Sequence, residues 1–127
     1  MVTVGALSRL EVKPGNEAII EHALQEMFSR VQLEPATTAW FACRLGPSTF
    51  SIFDVFPDEA GLRAHLSDEV RARMEKVNGL LVQPRTVEKL HVLATKLPAQ
   101  GANGGGQGDT ITVTVGFLSR FEAKPGK

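Results

Sequence analysis

One thirteen-residue segment occurs twice in this chain, and that repeat constrains its architecture more than any other feature. Thr3-Val4-Gly5-Ala6-Leu7-Ser8-Arg9-Leu10-Glu11-Val12-Lys13-Pro14-Gly15 returns as Thr114-Val115-Gly116-Phe117-Leu118-Ser119-Arg120-Phe121-Glu122-Ala123-Lys124-Pro125-Gly126, with ten of thirteen positions identical at a constant offset of 111. The three changes are Ala6/Phe117, Leu10/Phe121 and Val12/Ala123. They share one parity and all stay apolar, which is how one buried face of a strand drifts while its role is kept. Between the copies, residues 98–109 hold five glycines and no large apolar side chain. This stretch reads as a flexible linker. The predicted organisation is therefore a domain over 1–97, a Gly-rich linker over 98–109, and over 110–127 the first strand of a second, truncated copy.

Within 1–97 the hydrophobic periods alternate. Val2, Val4, Ala6, Leu10 and Val12 give the two-residue period of a strand. After Lys13-Pro14-Gly15-Asn16, a stripe of Ile19, Ile20, Ala23, Leu24, Met27, Phe28 and Val31 has helical spacing. Glu34-Pro35 stops that helix, because the residue before proline avoids helical angles. Two strands, Thr38 to Leu45 and Thr49 to Phe56, flank the turn Gly46-Pro47-Ser48. Asp58 is a helix N-cap ahead of Leu62 and Leu66. Ser67-Asp68 interrupts the helix before a stretch with Val70, Met74 and Val77. A last strand is predicted over Thr86 to Ala94. The order β-α-β-β-α-β predicts an α+β, ferredoxin-like fold with an antiparallel sheet, helices on one face and an extra C-terminal strand. Its uncovered apolar face predicts a homodimer.

Composition excludes several functions. The chain has 14 basic and 14 acidic residues in 127, so nothing rewards nucleic acid or an anionic membrane. Its apolar runs are far below the roughly 20 residues that cross a bilayer. No basic start and apolar stretch marks an export signal. Cys43 is the single cysteine, so no intrachain disulfide forms. A cytoplasmic protein is the expectation.

Asp54 is the residue that asks for chemistry. It lies on the strand face of Phe50, Ile52 and Phe56, where a carboxylate must be paired, hydrogen-bonded or at a pocket rim. The two readings are a salt bridge to Arg44 or Arg9, and a catalytic base in an apolar cavity. His65 sits at the edge of its helix's apolar stripe, either a neutral boundary residue or a pocket acid/base. Trp40, Phe41, Phe50, Phe53 and Phe56 are core, dimer interface or the wall of an aromatic-binding pocket. His22 reads as surface, His91 as a strand-face residue and Cys43 as a small buried hydrophobe. The histidines share no metal-ligand spacing.

Val12-Lys13-Pro14-Gly15, Glu34-Pro35, and Phe53-Asp54-Val55-Phe56-Pro57-Asp58-Glu59-Ala60 running into Leu62-Arg63-Ala64-His65-Leu66 resemble the antibiotic-biosynthesis-monooxygenase-like family. The resemblance covers about residues 2–97 and implies a dimeric α/β barrel. Family members commonly carry Glu-x-Trp where Asp54-Val55-Phe56 stands, then an Ala-His pair like Ala64-His65. The chain departs from the family at Val70, where a histidine is frequent, and at Trp40, where a tyrosine is usual. It also has Leu7-Ser8-Arg9 in place of an asparagine important to haem-degrading members, so haem degradation is disfavoured. The resemblance implies a cofactor-independent monooxygenase, with no bound metal or flavin, acting on a small aromatic or quinol-type molecule. Asp54 and His65 are the candidate catalytic residues, and Trp40, Phe56, Ile52 and Phe41 the candidate substrate-binding ones. The alternative is a non-catalytic small-molecule-binding or dimerisation module of the same fold.

Overall fold

The computed structural model describes residues 1–97 and 113–126; the Gly-rich linker predicted over 98–109 lies outside them, except that the sheet-bearing unit itself ends at Thr95. That unit runs β1 (Val4–Glu11), α1 (Glu17–Val31), β2 (Ala39–Arg44), β3 (Thr49–Phe56), α2 (Glu59–His65), α3 (Asp68–Asn78) and β4 (Thr86–His91). The strands form one antiparallel sheet in the order β2-β3-β1-β4. This is the split βαββαβ arrangement of ferredoxin-like folds.

Each boundary has a local cause. Gly15 takes a φ of 93° after Pro14, which only glycine adopts without strain, and this turns the chain from β1 into α1. The Asp58 side chain accepts the Gly61 N–H and caps α2. Ser67 does the same for α3 through the Val70 N–H, so the predicted interruption is a helix start in its own right. β4 ends at His91, short of the predicted Ala94, and Leu93 stands in solvent.

Register assigns the faces. Val4, Ala6, Ser8 and Leu10 stand opposite Phe56, Asp54, Ile52 and Phe50 on the helix-covered face. Two apolar clusters fill that side. One is Leu10, Val12, Ile20, Leu24, Phe50, Ile52, Met74, Val77 and Leu81; the other is Val4, Ala6, Phe56 and Leu62. Ser8 on β1 and Asp54 on β3 fall between them. A polar seam thus crosses an apolar layer. The opposite face carries Leu7, Phe41, Phe53 and Leu90, with Phe41 and Phe53 stacked at 6.2 Å between ring centroids. Exposed Cys43 lies on this face too, which corrects the expectation of a buried thiol: strand alternation turns position 43 away from the helices.

Residues 113–126 form no strand, so the extra C-terminal strand is absent among the described residues. A strand needs a partner ladder and a covered face, and this segment has neither; Phe117 and Phe121 are exposed. Its local geometry nevertheless copies β1. Arg120 Nε donates to Glu122 Oε2 at 3.0 Å as Arg9 Nε does to Glu11 Oε2 at 2.7 Å. Gly126 has a positive φ of 79°, as Gly15 does at 93°.

Candidate functional site

The site lies in the seam between the two apolar clusters. Asp54 sits mid-strand in β3, with Ala6 of β1 and Trp40 of β2 directly opposite on either side. The end of α2 brings His65 over it, and the turn after α1 supplies Glu34. His65 stacks at a tilt on Phe56, 5.3 Å between centroids, which fixes the ring above the strand.

The imidazole is held between two carboxylates. Its Nδ1 is 2.6 Å from Glu34 Oε1, and its Nε2 is 3.2 Å from Asp54 Oδ2. A carboxylate in its ionised form only accepts, so the arrangement suits an imidazolium that donates from both ring nitrogens. Burial works against that charge, but hydrogen bonds to Asp54 and then Glu34 outweigh it and raise the His65 pKa above its ordinary value. Thr37 Oγ1 also donates to Glu34 Oε1, at 2.7 Å. The Asp54 side chain is only 4% exposed, and its Oδ1 is buried without a hydrogen-bond partner. Such an oxygen is expensive to leave unsatisfied.

These groups border a cavity of about 50 Å³ between the sheet and the helices. Ala6, Ile52, Trp40 and Met74 make much of its wall apolar, and Ser8, Asp54, His65 and Arg85 supply polar atoms. Arg85 Nη1 donates to Ser8 Oγ at 2.9 Å. Burial lowers the Arg85 pKa, and the Asp54 charge opposes that shift. Arg30 and Arg73 line the cavity from α1 and α3, and both pair with Glu69.

Of the residues singled out in the sequence, Asp54, His65, Trp40 and Ile52 meet at this cavity. Phe41 does not. Odd-numbered β2 residues face away from the helices, and Phe41 stacks on Phe53 there. Phe56 is fully buried beneath His65 and supports the ring without lining the void. The expected bridge from Asp54 to Arg9 or Arg44 is also corrected. Arg9 lies on the opposite face and pairs with Glu11, and Arg44 pairs with Glu21 while covering the Phe50 ring. His22 is exposed beside Glu26, and His91 is exposed on β4. Glu34, Ser8 and Arg85 escaped sequence reasoning. The Glu34-Pro35 pair read as a helix stop and as part of the family resemblance, with no role in a site, and Arg85 follows Pro84 in a turn. Ser8 did leave a signal, as the polar break in an otherwise apolar strand face.

Among the described residues, no cluster of three or more histidine, cysteine or acidic side chains is arranged to hold a metal ion. His65 separates the two carboxylates, so the three do not converge on a point. No helix among the described residues is long and apolar enough to cross a membrane.

No protein-family model matches the chain, and no curated protein does. Solved structures do. NE2512 of Nitrosomonas europaea, a protein of unknown function, is 45% identical with a TM-score of 0.72, over 78% of this chain and 97% of that one. Rv0793 of Mycobacterium tuberculosis is 18% identical with a TM-score of 0.66, over 73% and 97% of the two chains. A structure named as an antibiotic biosynthesis monooxygenase is 20% identical with a TM-score of 0.62, over 72% and 99%. At those lower identities the likeness is one of fold.

Proposed function

Because the chain belongs to the family of NE2512 from Nitrosomonas europaea, a protein of unknown function, we propose its activity from the cavity itself. The reading is a cofactor-independent monooxygenase acting on a small hydroxylated aromatic or quinol. The observation that carries it is the buried, unpartnered Oδ1 of Asp54 in the wall of a cavity shared with Trp40. A hydroxyl donor satisfies that oxygen, and a ring gains contact with Trp40 and Ile52. The fold shared with an antibiotic biosynthesis monooxygenase supports the same reading.

The chemistry asks little of the protein. Asp54 accepts the hydroxyl proton, leaving an electron-rich phenolate. The anion passes an electron to oxygen, and the two radicals combine to form a carbon–oxygen bond. The peroxide anion takes a proton, its O–O bond breaks, and the carbon's own hydrogen leaves with hydroxide as water. The product is a quinone. The protein's part is to accept and return one proton and to keep bulk water out of a largely apolar pocket.

The cavity of about 50 Å³ favours a second reading, a non-catalytic binding or dimerisation module. A void of roughly 150 Å³ takes benzene, so a whole ring here requires the rim at Leu66, Val70 and Arg73 to part. In either reading the Leu7, Phe41, Phe53 and Leu90 face is where two copies associate into a homodimer.

Oxygen uptake by purified protein with hydroquinones and anthrones tests the choice. Uptake above autoxidation that disappears in Asp54→Asn supports the oxygenase. Uptake that stays at the autoxidation rate with every substrate overturns it and favours the module.

A further inference from the structure

We propose that Glu34 and His65 form a proton outlet that keeps the summed charge of the three side chains constant when Asp54 becomes protonated. The inference takes Asp54 as the group that receives a ligand's proton, and it adds where the balancing proton goes.

The three side chains form a graded path from interior to surface. Exposure rises from 4% at Asp54 to 10% at His65 and 28% at Glu34. The contacts are continuous, from Asp54 Oδ2 to Nε2 at 3.2 Å and from Nδ1 to Glu34 Oε1 at 2.6 Å. Asp54 Oδ1 alone remains open at the inner end. Glu34 Oε1 also accepts from Thr37 Oγ1, which holds the carboxyl group in place at the outer end. A helix end can be anchored to a loop by a neutral amide equally well.

The step conserves protons. At rest the imidazolium donates to both carboxylates. A ligand hydroxyl proton binds Asp54 Oδ1 and neutralises one of the two charges that hold the ring proton. The Nδ1 proton then passes to Glu34 Oε1 and out to water, leaving the ring neutral with its Nε2–H in place and the ligand's anion as the one charge the site has gained. When Asp54 returns its proton to the peroxide anion, its charge is restored and the ring regains a proton through Glu34. The other charged groups at this cavity are Arg85 before β4, Arg30 on α1 and Arg73 on α3. Arg30 and Arg73 are engaged by Glu69 at the mouth, and Arg85 bonds to Ser8. None of these cations stands between His65 and Glu34.

Glu34→Gln separates the outlet from an anchor, because the amide oxygen still accepts from Nδ1–H but takes no proton. His65 is titrated by NMR in the ligand-free full chain. The outlet predicts that its midpoint falls in both Glu34→Gln and Asp54→Asn. It also predicts that hydroquinone, added without oxygen, releases a proton into weakly buffered solution from wild type and Glu34→Asp but not from Glu34→Gln. An unchanged His65 midpoint in Glu34→Gln overturns the outlet, as does proton release equal to wild type. Coupled midpoints without any hydroquinone binding support the outlet and instead sink the choice of substrate.

Discussion

Gly5 and Gly116 are the same residue of the repeat in two surroundings, and an alanine destabilises the fold at the first and not at the second. A Cβ on Gly5 stands 2.5 Å from the backbone carbonyl oxygen of Asp54, with Leu90 Cδ1 and Val55 Cγ1 each at 3.1 Å. The carbonyl belongs to the β3 ladder, so it retreats only if β1 and β3 part. Overpacking of this kind costs about 1–3 kcal/mol. Removing a glycine recovers about 0.4–1 kcal/mol through the unfolded chain. At mid-range the net loss is about 1.3 kcal/mol, which lowers the melting midpoint by about 5–10 °C at roughly 4–8 °C per kcal/mol. At Gly116 nothing lies within 4 Å, and Gly116→Ala leaves the midpoint unchanged. Trp40 is the single tryptophan and stands opposite Asp54, so a thermal melt followed by its fluorescence reads this part of the sheet. A Gly5→Ala midpoint equal to wild type refutes the close approach of β1 to β3. A Gly116→Ala midpoint that falls as far refutes the open surroundings of Gly116.

His65→Gln should cost stability in one direction of pH. The folded-state pKa of His65 is raised, so its contribution is full below the unfolded value of about 6.5 and is lost as pH rises through the folded value. Urea unfolding of both proteins across pH should show a gap that closes on the alkaline side, and a gap that widens there contradicts the pairing with Asp54 and Glu34. Asp58→Ala removes the α2 cap and should cost about 0.5–2 kcal/mol in the same assay; an unchanged midpoint would falsify the capping role. Phe41→Glu places a charge on the helix-free face, and the homodimer proposed above predicts dimers of wild type and monomers of this variant in sedimentation. A persistent dimer would move the interface elsewhere.

The element order was legible because each segment carries its own period and its own stop. β3 runs from Thr49 to Phe56 as its alternation indicates, and the breaks at Pro14-Gly15, Asp58 and Ser67 follow from turn and cap chemistry. Asp54 was legible as an anomaly on an apolar face, but its partner was not. Positions 34, 54 and 65 meet only through the packing of α2 and the α1–β2 turn over the sheet, and no local pattern encodes that meeting. Parity, correctly applied, places Arg9 and Phe41 on the far face. Arg44 shares the face of Asp54 but stands opposite Phe50, further along β3, where Glu21 of α1 engages it. The repeat shows the other limit. Its second copy keeps the bends and the Arg–Glu pair of β1, which are local, and lacks the ladder, which is not.

The seam that Ser8 and Asp54 draw between the two apolar clusters sets stability against function. Joining the clusters with Ser8→Ala and Asp54→Leu removes the unsatisfied Oδ1 from the interior, and it stabilises the fold only when His65 and Arg85, which lose their acceptors, are made apolar as well. Selection for heat resistance alone would therefore drift toward closing the seam. Conversely, whatever molecule satisfies Asp54 Oδ1 binds the folded chain and not the unfolded one. It raises the melting midpoint through mass action, adding about 2.7 kcal/mol of stability at a hundredfold excess over its dissociation constant. A thermal-shift screen of hydroxylated ring compounds thus measures occupancy of the seam directly, whether or not any oxygen is consumed.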